Sequence, residues 1–126
     1  MGIKLFVLLS MLFLYIVDDY YLQGWLASAK QKSWWDKNAP EGLYKNDYLM
    51  ALFMHSFSWT FMIMLPLTLY VIIGGGVWYP LWYLGNVVIH MITDNEKANR
   101  HTINLIQDQT VHMIQILVTW TVFVIL

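Results

Sequence analysis

The chain has 126 residues, of which 59% are hydrophobic and 12% charged, with a formal net charge of -1 and no cysteine. A charged share near half of the roughly 25% usual in soluble domains implies an integral membrane protein, and the length suits one domain. The near-zero charge gives no electrostatic footing for nucleic acid, and the lack of thiols excludes disulfides and thiolate metal sites, so any metal must be held by His and carboxylate.

The first apolar run covers residues 3–19 and closes on Asp18 and Asp19. The following stretch to Lys30 stays helix-compatible apart from Gly24. A secretory signal is the competing reading, because Lys4 precedes the run and Ala27-Ser28-Ala29 resembles a cleavage site. An acidic, aromatic spacer of about ten residues is too long for the segment before such a site, which favours a true span. Residues 20–35, with Tyr20, Tyr21, Trp25, Trp34 and Trp35, are expected along the membrane interface, and residues 31–47 form a polar loop.

The second span is expected over residues 48–73, with His55 near its start and a kink at Pro66. Gly74-Gly75-Gly76 has no accompanying Lys and reads as a turn rather than a phosphate loop. The third span, residues 78–94, opens with Pro80 in its first turn and closes on His90 and Asp94. The fourth, residues 103–126, opens with Asp108 and His112. These stretches lie near the roughly 20 residues needed to cross about 30 Å of hydrocarbon, so the expected fold is an all-α, integral membrane four-helix bundle. Its polar His and Asp cluster gathers at one membrane face.

Topology follows from the basic residues. Lys30, Lys32, Lys37, Lys45, Lys97 and Arg100 lie on the cluster side, against Lys4 on the other, so the cluster is expected in the cytoplasm and both termini outside. The four cluster-side lysines of the first half read as topology signals or headgroup contacts.

Ionisable groups in lipid cost roughly 2.5 to 3.5 kcal/mol each on insertion scales, so an intramembrane group of them is a functional-site hypothesis. His90 and Asp94 stand four apart and share a helix face with Lys97; Asp108 and His112 repeat the spacing, continued by Gln115 and Thr119; Asp19 and Gln23 show it again. Paired His and carboxylate on facing helices supply the nitrogen and oxygen ligands that zinc, manganese or iron accepts. The alternative is a hydrogen-bonded polar core that fixes helix registry. His101 is expected in solvent beside Arg100, and Ser56, Ser58 and Thr60 are expected to bond back to their own helix.

The order Asp19-Tyr20-Tyr21-Leu22-Gln23, then Trp25, Ala27, Lys30 and His55, then His90-x-x-x-Asp94-x-x-Lys97, then Asp108-Gln109-x-x-His112 resembles the small bacterial and phage membrane proteins of domain-of-unknown-function family 3307. Tyr20 stands where that family tends to carry Phe, and residues 31–47 have no counterpart in it. The resemblance implies a bacterial inner-membrane location. The spacing is also similar to that of predicted membrane-bound metal-dependent hydrolases, a likeness at the level of fold.

Three functions compete. The first is a metal-dependent hydrolase acting on an amphiphilic substrate at the cytoplasmic leaflet. A divalent metal, zinc foremost, would be bound by His90, Asp94 and His112 with Asp108 or His55 as a further ligand. Asp19 would be the general base, and Gln23 or Lys97 would steady an anionic intermediate or phosphate. The second is a proton or cation pathway, for which oligomerisation would have to extend the polar path. The third is a non-enzymatic accessory protein that binds a partner through the loop at residues 31–47, where Trp34, Trp35 and Tyr44 are the anchors.

Overall fold

The computed structural model describes residues 1–126 and is 82% helix with no strand. Helix α1 (Gly2–Ile16) continues as a π-helical turn over Val17–Leu22, so one helical rod carries the first apolar run and its two aspartates. Gly24 then takes φ 55, a left-handed conformation that glycine adopts without a Cβ penalty, and the chain turns back. The short α2 (Leu26–Ala29) and α3 (Lys32–Asn38) follow, with a 3-10 turn at Gly42–Tyr44. The expected polar loop is therefore largely helical. Trp34 and Trp35 pack edge-on against Trp25, and Trp35 stacks on Tyr44, so these rings are occupied with one another.

Helix α4 (Asp47–Gly74) has 28 residues, about 42 Å at 1.5 Å per residue. It runs through Pro66 without a break, and Leu52, His55, Trp59, Ile63, Leu67 and Val71 are buried along one face at spacings of three and four. It ends as a Schellman motif: Gly75 sits at φ 70 while the Gly76 amide donates to the Val71 carbonyl. Helix α5 (Pro80–Ala98) starts on Pro80, whose missing N–H costs nothing in a first turn. Helix α6 (Leu105–Trp120) opens with a capping box in which Asn104 and Gln107 each accept the other's backbone N–H. It runs on as a π turn, Thr121–Ile125.

The long helices contact one another in a cycle, α1 on α4, α4 on α5, α5 on α6 and α6 on α1. Three helical stretches, Gly2–Leu22, Gly42–Gly74 and Leu105–Ile125, are long and apolar enough to cross a membrane. The fourth expected span, α5, has 19 residues but does not meet that standard by composition, because Asn86, His90, Asp94, Glu96 and Lys97 lower its apolar character.

Inside the helices the structure divides in two along its length. Val7, Met11, Ile63, Met64, Leu67 and Ile116 form an apolar core toward one end. Toward the other lie Asp18, Lys30, His55, His90, Asp94, Asp108 and His112, all buried. Trp59, fully buried, is the partition: its ring meets Tyr15 edge-on at 6.2 Å and lies 4.3 Å from the His90 ring. Truncating Leu67, which has no exposure, to Ala is expected to cost about 2–5 kcal/mol through lost transfer energy and the cavity left behind. Denaturant unfolding of the protein in detergent checks this.

Candidate metal centre

The site is built from five elements. The π turn after α1 supplies Asp18 and Asp19, the residue after α2 is Lys30, α4 supplies His55, α5 supplies His90, Asp94 and Lys97, and α6 supplies Asp108 and His112. The Asp94 carboxylate is the hub. Its Oδ2 accepts from Lys30 Nζ at 2.8 Å and lies 3.5 Å from Nε2 of both His55 and His90, while its Oδ1 lies 3.2 Å from His112 Nε2. The His90 and His112 rings stack at 4.1 Å, and the His55 ring stands 5.0 Å from His90.

The tautomer of His112 follows from its neighbours. Gln115 donates its amide protons to the main-chain and side-chain oxygens of Asn86, both at 3.1 Å, so its own oxygen faces His112 Nδ1 at 3.1 Å. An amide oxygen only accepts, hence Nδ1 carries the proton. Asn86 in turn donates to Thr119 Oγ1, which also takes the Trp82 indole N–H. A neutral His112 then points an Nε2 lone pair at Asp94 Oδ1, 3.2 Å away, and Asp108 Oδ1, 3.4 Å away. Three electron pairs facing one another in a water-poor interior repel. A cation between them, either a proton on Nε2 or a metal ion, removes the conflict.

His90 shows the same need more sharply. It is fully buried, and neither Nδ1 nor Nε2 has a hydrogen-bond partner. His55 Nε2 is also unpartnered, although Asp19 Oδ1 approaches to 3.2 Å. Two overlapping triads have ligand atoms within 4.8 Å of one another: Asp19, His55 and His90, and His90, Asp94 and His112. Asp18 stands behind His55, its Oδ2 3.8 Å from Nδ1, and is held by the Ser58 hydroxyl at 2.6 Å. Charge counts in the same direction. The cluster holds three buried carboxylates, Asp18, Asp94 and Asp108, and the half-buried Asp19, against two ammonium groups, Lys30 on Asp94 and Lys97 on Asp108. The two negative charges left over match one divalent cation, or protons on two of the three imidazoles.

Of the residues expected from sequence, His55, His90, Asp94, His112 and Asp19 come together as ligand-capable groups. Asp108 sits beside them, taking Lys97 Nζ at 3.1 Å and the Gln109 amide at 2.9 Å. Gln23 donates to the Asp19 main-chain oxygen and lines a cleft of about 400 Å³ with Asp19, Lys30, Asp94, Lys97 and Gln109. His101 is exposed, as expected, at the rim of that cleft.

Two expectations are corrected. Lys30 is not a surface topology signal: it is 7% exposed and ion-paired with the hub carboxylate. The turn at Gly24 folds α2 back, and Asn99 pins the segment by donating to the Lys30 carbonyl and accepting from the Lys32 amide. None of Ser56, Ser58 and Thr60 bonds back to its own helix: Ser58 donates to Asp18, and the buried hydroxyls of Ser56 and Thr60 have no hydrogen-bond partner. Tyr15 and Gln109 join the site through a hydrogen bond from the Tyr15 hydroxyl to the Gln109 side-chain oxygen.

Compared with protein-family models, curated proteins and solved structures, the chain matches none.

Breaking a buried ion pair on one side strands the other charge, at about 3–5 kcal/mol. Lys30→Met should therefore destabilise the protein by about that amount, and in the double variant Lys30→Met with Asp94→Asn the loss should be smaller than the sum of the two single losses. Denaturant unfolding in detergent, run as a double-mutant cycle, measures the coupling; additive losses would mean the pair is not an energetic unit.

Proposed function

We propose that the chain is an integral-membrane, metal-dependent hydrolase that binds one divalent metal, zinc in the first instance, and acts on an amphiphilic substrate at headgroup level. The observation that carries this reading is His90, a fully buried imidazole with both ring nitrogens unpartnered. It is packed between His55 and His112 against a shared carboxylate. A polar group buried without a partner costs roughly 1–3 kcal/mol, and a metal at Nε2 returns that cost. His55, His90, His112 and Asp94 would hold the ion, with Asp108 Oδ1, also unpartnered, in reserve.

A bound zinc supplies a water whose pKa falls toward about 7. Asp19, lining the cleft, would take the proton of that water, and Gln115 would keep His112 in the ligating tautomer. Lys97 and Gln23 would face the anionic charge that develops on the substrate.

The membrane setting is supported by an inside-out distribution. Nearly half of the 27 buried residues are polar or charged, while Phe6, Phe13, Phe57, Phe61, Leu84, Ile92 and Ile114 are exposed, the reverse of what water favours. The same pattern supports α5 as a fourth span. Its polar residues Asn86, His90, Thr93 and Asp94 face inward, and Leu81, Leu84, Val88 and Ile92 face outward. In that four-helix arrangement the excess of Lys and Arg on the cluster side favours a site in the cytoplasmic leaflet, with both termini outside. The resemblance to bacterial and phage proteins would make the membrane the bacterial inner membrane.

A second reading, a protonated polar core or proton relay, draws on the Lys30–Asp94 and Lys97–Asp108 pairs, which neutralise half of the carboxylate charge without a metal. Elemental analysis of the detergent-purified protein separates the two. The wild type should carry stoichiometric zinc, manganese or iron, His90→Ala and His112→Ala should lose it, and Gln115→Leu should bind it about 10–100-fold more weakly. A wild type that stays metal-free after supplementation would leave the relay or polar core standing.

A further inference from the structure

We propose that the cleft beside the metal ligands is a subsite for the phosphate monoester headgroup of a membrane amphiphile, recognised by Lys30 and Lys97. The assignment rests on the hydrolase reading for its chemistry and on the cleft's own geometry for its binding.

The cleft is bounded by the turn after α1, by α2, by the end of α5 and by the start of α6. Its polar lining contains two ammonium groups and also the carboxylates of Asp19 and Asp94, whose charge a bound divalent metal would offset. Each ammonium meets a single carboxylate oxygen, Lys30 on Asp94 at 2.8 Å and Lys97 on Asp108 at 3.1 Å. An ammonium has three N–H donors, so each lysine has two left for a ligand. A pair of point-charge donors suits a compact, multiply charged, tetrahedral oxyanion better than a neutral ester or a sugar hydroxyl. Both partner carboxylates also face metal-ligating imidazoles. A metal bound there draws their charge toward itself and frees the lysines for the incoming anion.

The rim indicates what the phosphate is attached to. Tyr20 and Leu105 line the cleft from the α1 and α6 sides and are themselves 58% and 56% exposed. The polar floor is thus approached across an apolar sill on the surface that the membrane reading turns toward lipid. A space of about 400 Å³ holds a headgroup and not acyl chains. The chains would remain in the leaflet beyond Tyr20 and Leu105, near the Trp25, Trp34 and Trp35 cluster, at the depth where indole rings favour the interface.

The test is equilibrium binding to the full-length, metal-supplemented protein in a non-ionic detergent. Three probes are compared: inorganic phosphate, phosphatidic acid as a phosphomonoester lipid, and phosphatidylcholine as a diester without a net charge. Phosphatidic acid is expected to bind at least tenfold tighter than either of the others. Lys97→Gln, whose side chain is 27% exposed in the wild type and so the safer replacement, should lower that affinity at least tenfold while metal content is unchanged, and Lys97→Arg should retain most of it. Equal affinity in Lys97→Gln overturns the subsite. Inorganic phosphate binding as tightly as the lipid overturns the amphiphile and leaves a soluble phosphate ligand. Because binding is read without turnover, the two readings fail separately. Lys97-dependent binding of phosphatidic acid by a protein that takes up no metal would remove the hydrolase and keep the subsite. A metal-loaded protein that binds none of the probes would do the reverse.

Discussion

Asp94 carries more of this structure than any other single group. One carboxylate at the end of α5 is approached by an ammonium from the α2 segment, by imidazoles from α4 and α6, and by the imidazole one turn earlier on its own helix. No other residue ties so many elements together, and the tie is electrostatic in an interior where unpaired charge is costly. The apolar core at the other end sets the packing distance between helices through close packing, but apolar contact carries no directional bond. The carboxylate hub does not tolerate a shift between helices: any move of α6 relative to α5 takes His112 away from Asp94.

The hub also explains why the segment after α1 turns back. A helix continuing straight past Leu22 would carry Lys30 away from the cluster. The left-handed Gly24 reverses the chain, and the Asn99 clamp on Lys30 and Lys32 holds the returning segment against the end of α5. The rings of Trp25, Trp34, Trp35 and Tyr44 pack together around this returning segment, and α2 and α3 contact α4. A positive charge is thereby brought to a carboxylate that three imidazoles share. Without it, the excess negative charge at the cluster would rise by one.

Periodicity made part of this legible. The spacing of four between His90 and Asp94 and between Asp108 and His112 puts each pair on one helix face, and the alternation of apolar runs with polar ends brings those faces to one level. That inference needs only helix geometry, and Asp19, His55, His90, Asp94 and His112 do converge. Lys30 was not legible in the same way, because its place depends on a reversal at one glycine and a clamp from a residue 69 positions away. The two signals that could have pointed to it are the Gly24 break within a helix-compatible stretch and the unusual Asn at position 99 after a helix end. Ser58 is similar. A hydroxyl in a span ordinarily bonds to its own helix, and only the buried Asp18 beside it makes the other choice better. The loop at residues 31–47 misled for a compositional reason, since polar residues between spans read as coil while Trp34 and Trp35 supply the apolar contacts that make a short helix worth forming.

The balance between a metal and protons at this cluster turns on Trp59 and Gln115. Protonation of two imidazoles would satisfy the same charge count as one divalent ion, but the two solutions differ in where the positive charge lies. His90 and His112 stack at 4.1 Å with nearly parallel planes, and two imidazolium rings in that arrangement would repel each other in a low-dielectric interior. His55 with either of the others avoids the stacking but leaves His90 or His112 with a bare lone pair against carboxylate oxygens. On the metal proposal, an ion would put its charge among imidazole nitrogens and carboxylate oxygens that lie within 4.8 Å of one another in two overlapping triads. Trp59 closes the apolar side of the cluster, 4.3 Å from His90 and 5.2 Å from His112, and offers a π face in place of water. Gln115 meanwhile fixes the Nδ1 proton of His112 toward the protein interior. Both features hold the imidazoles of His90 and His112 against the carboxylates, and the metal proposal rests on that juxtaposition.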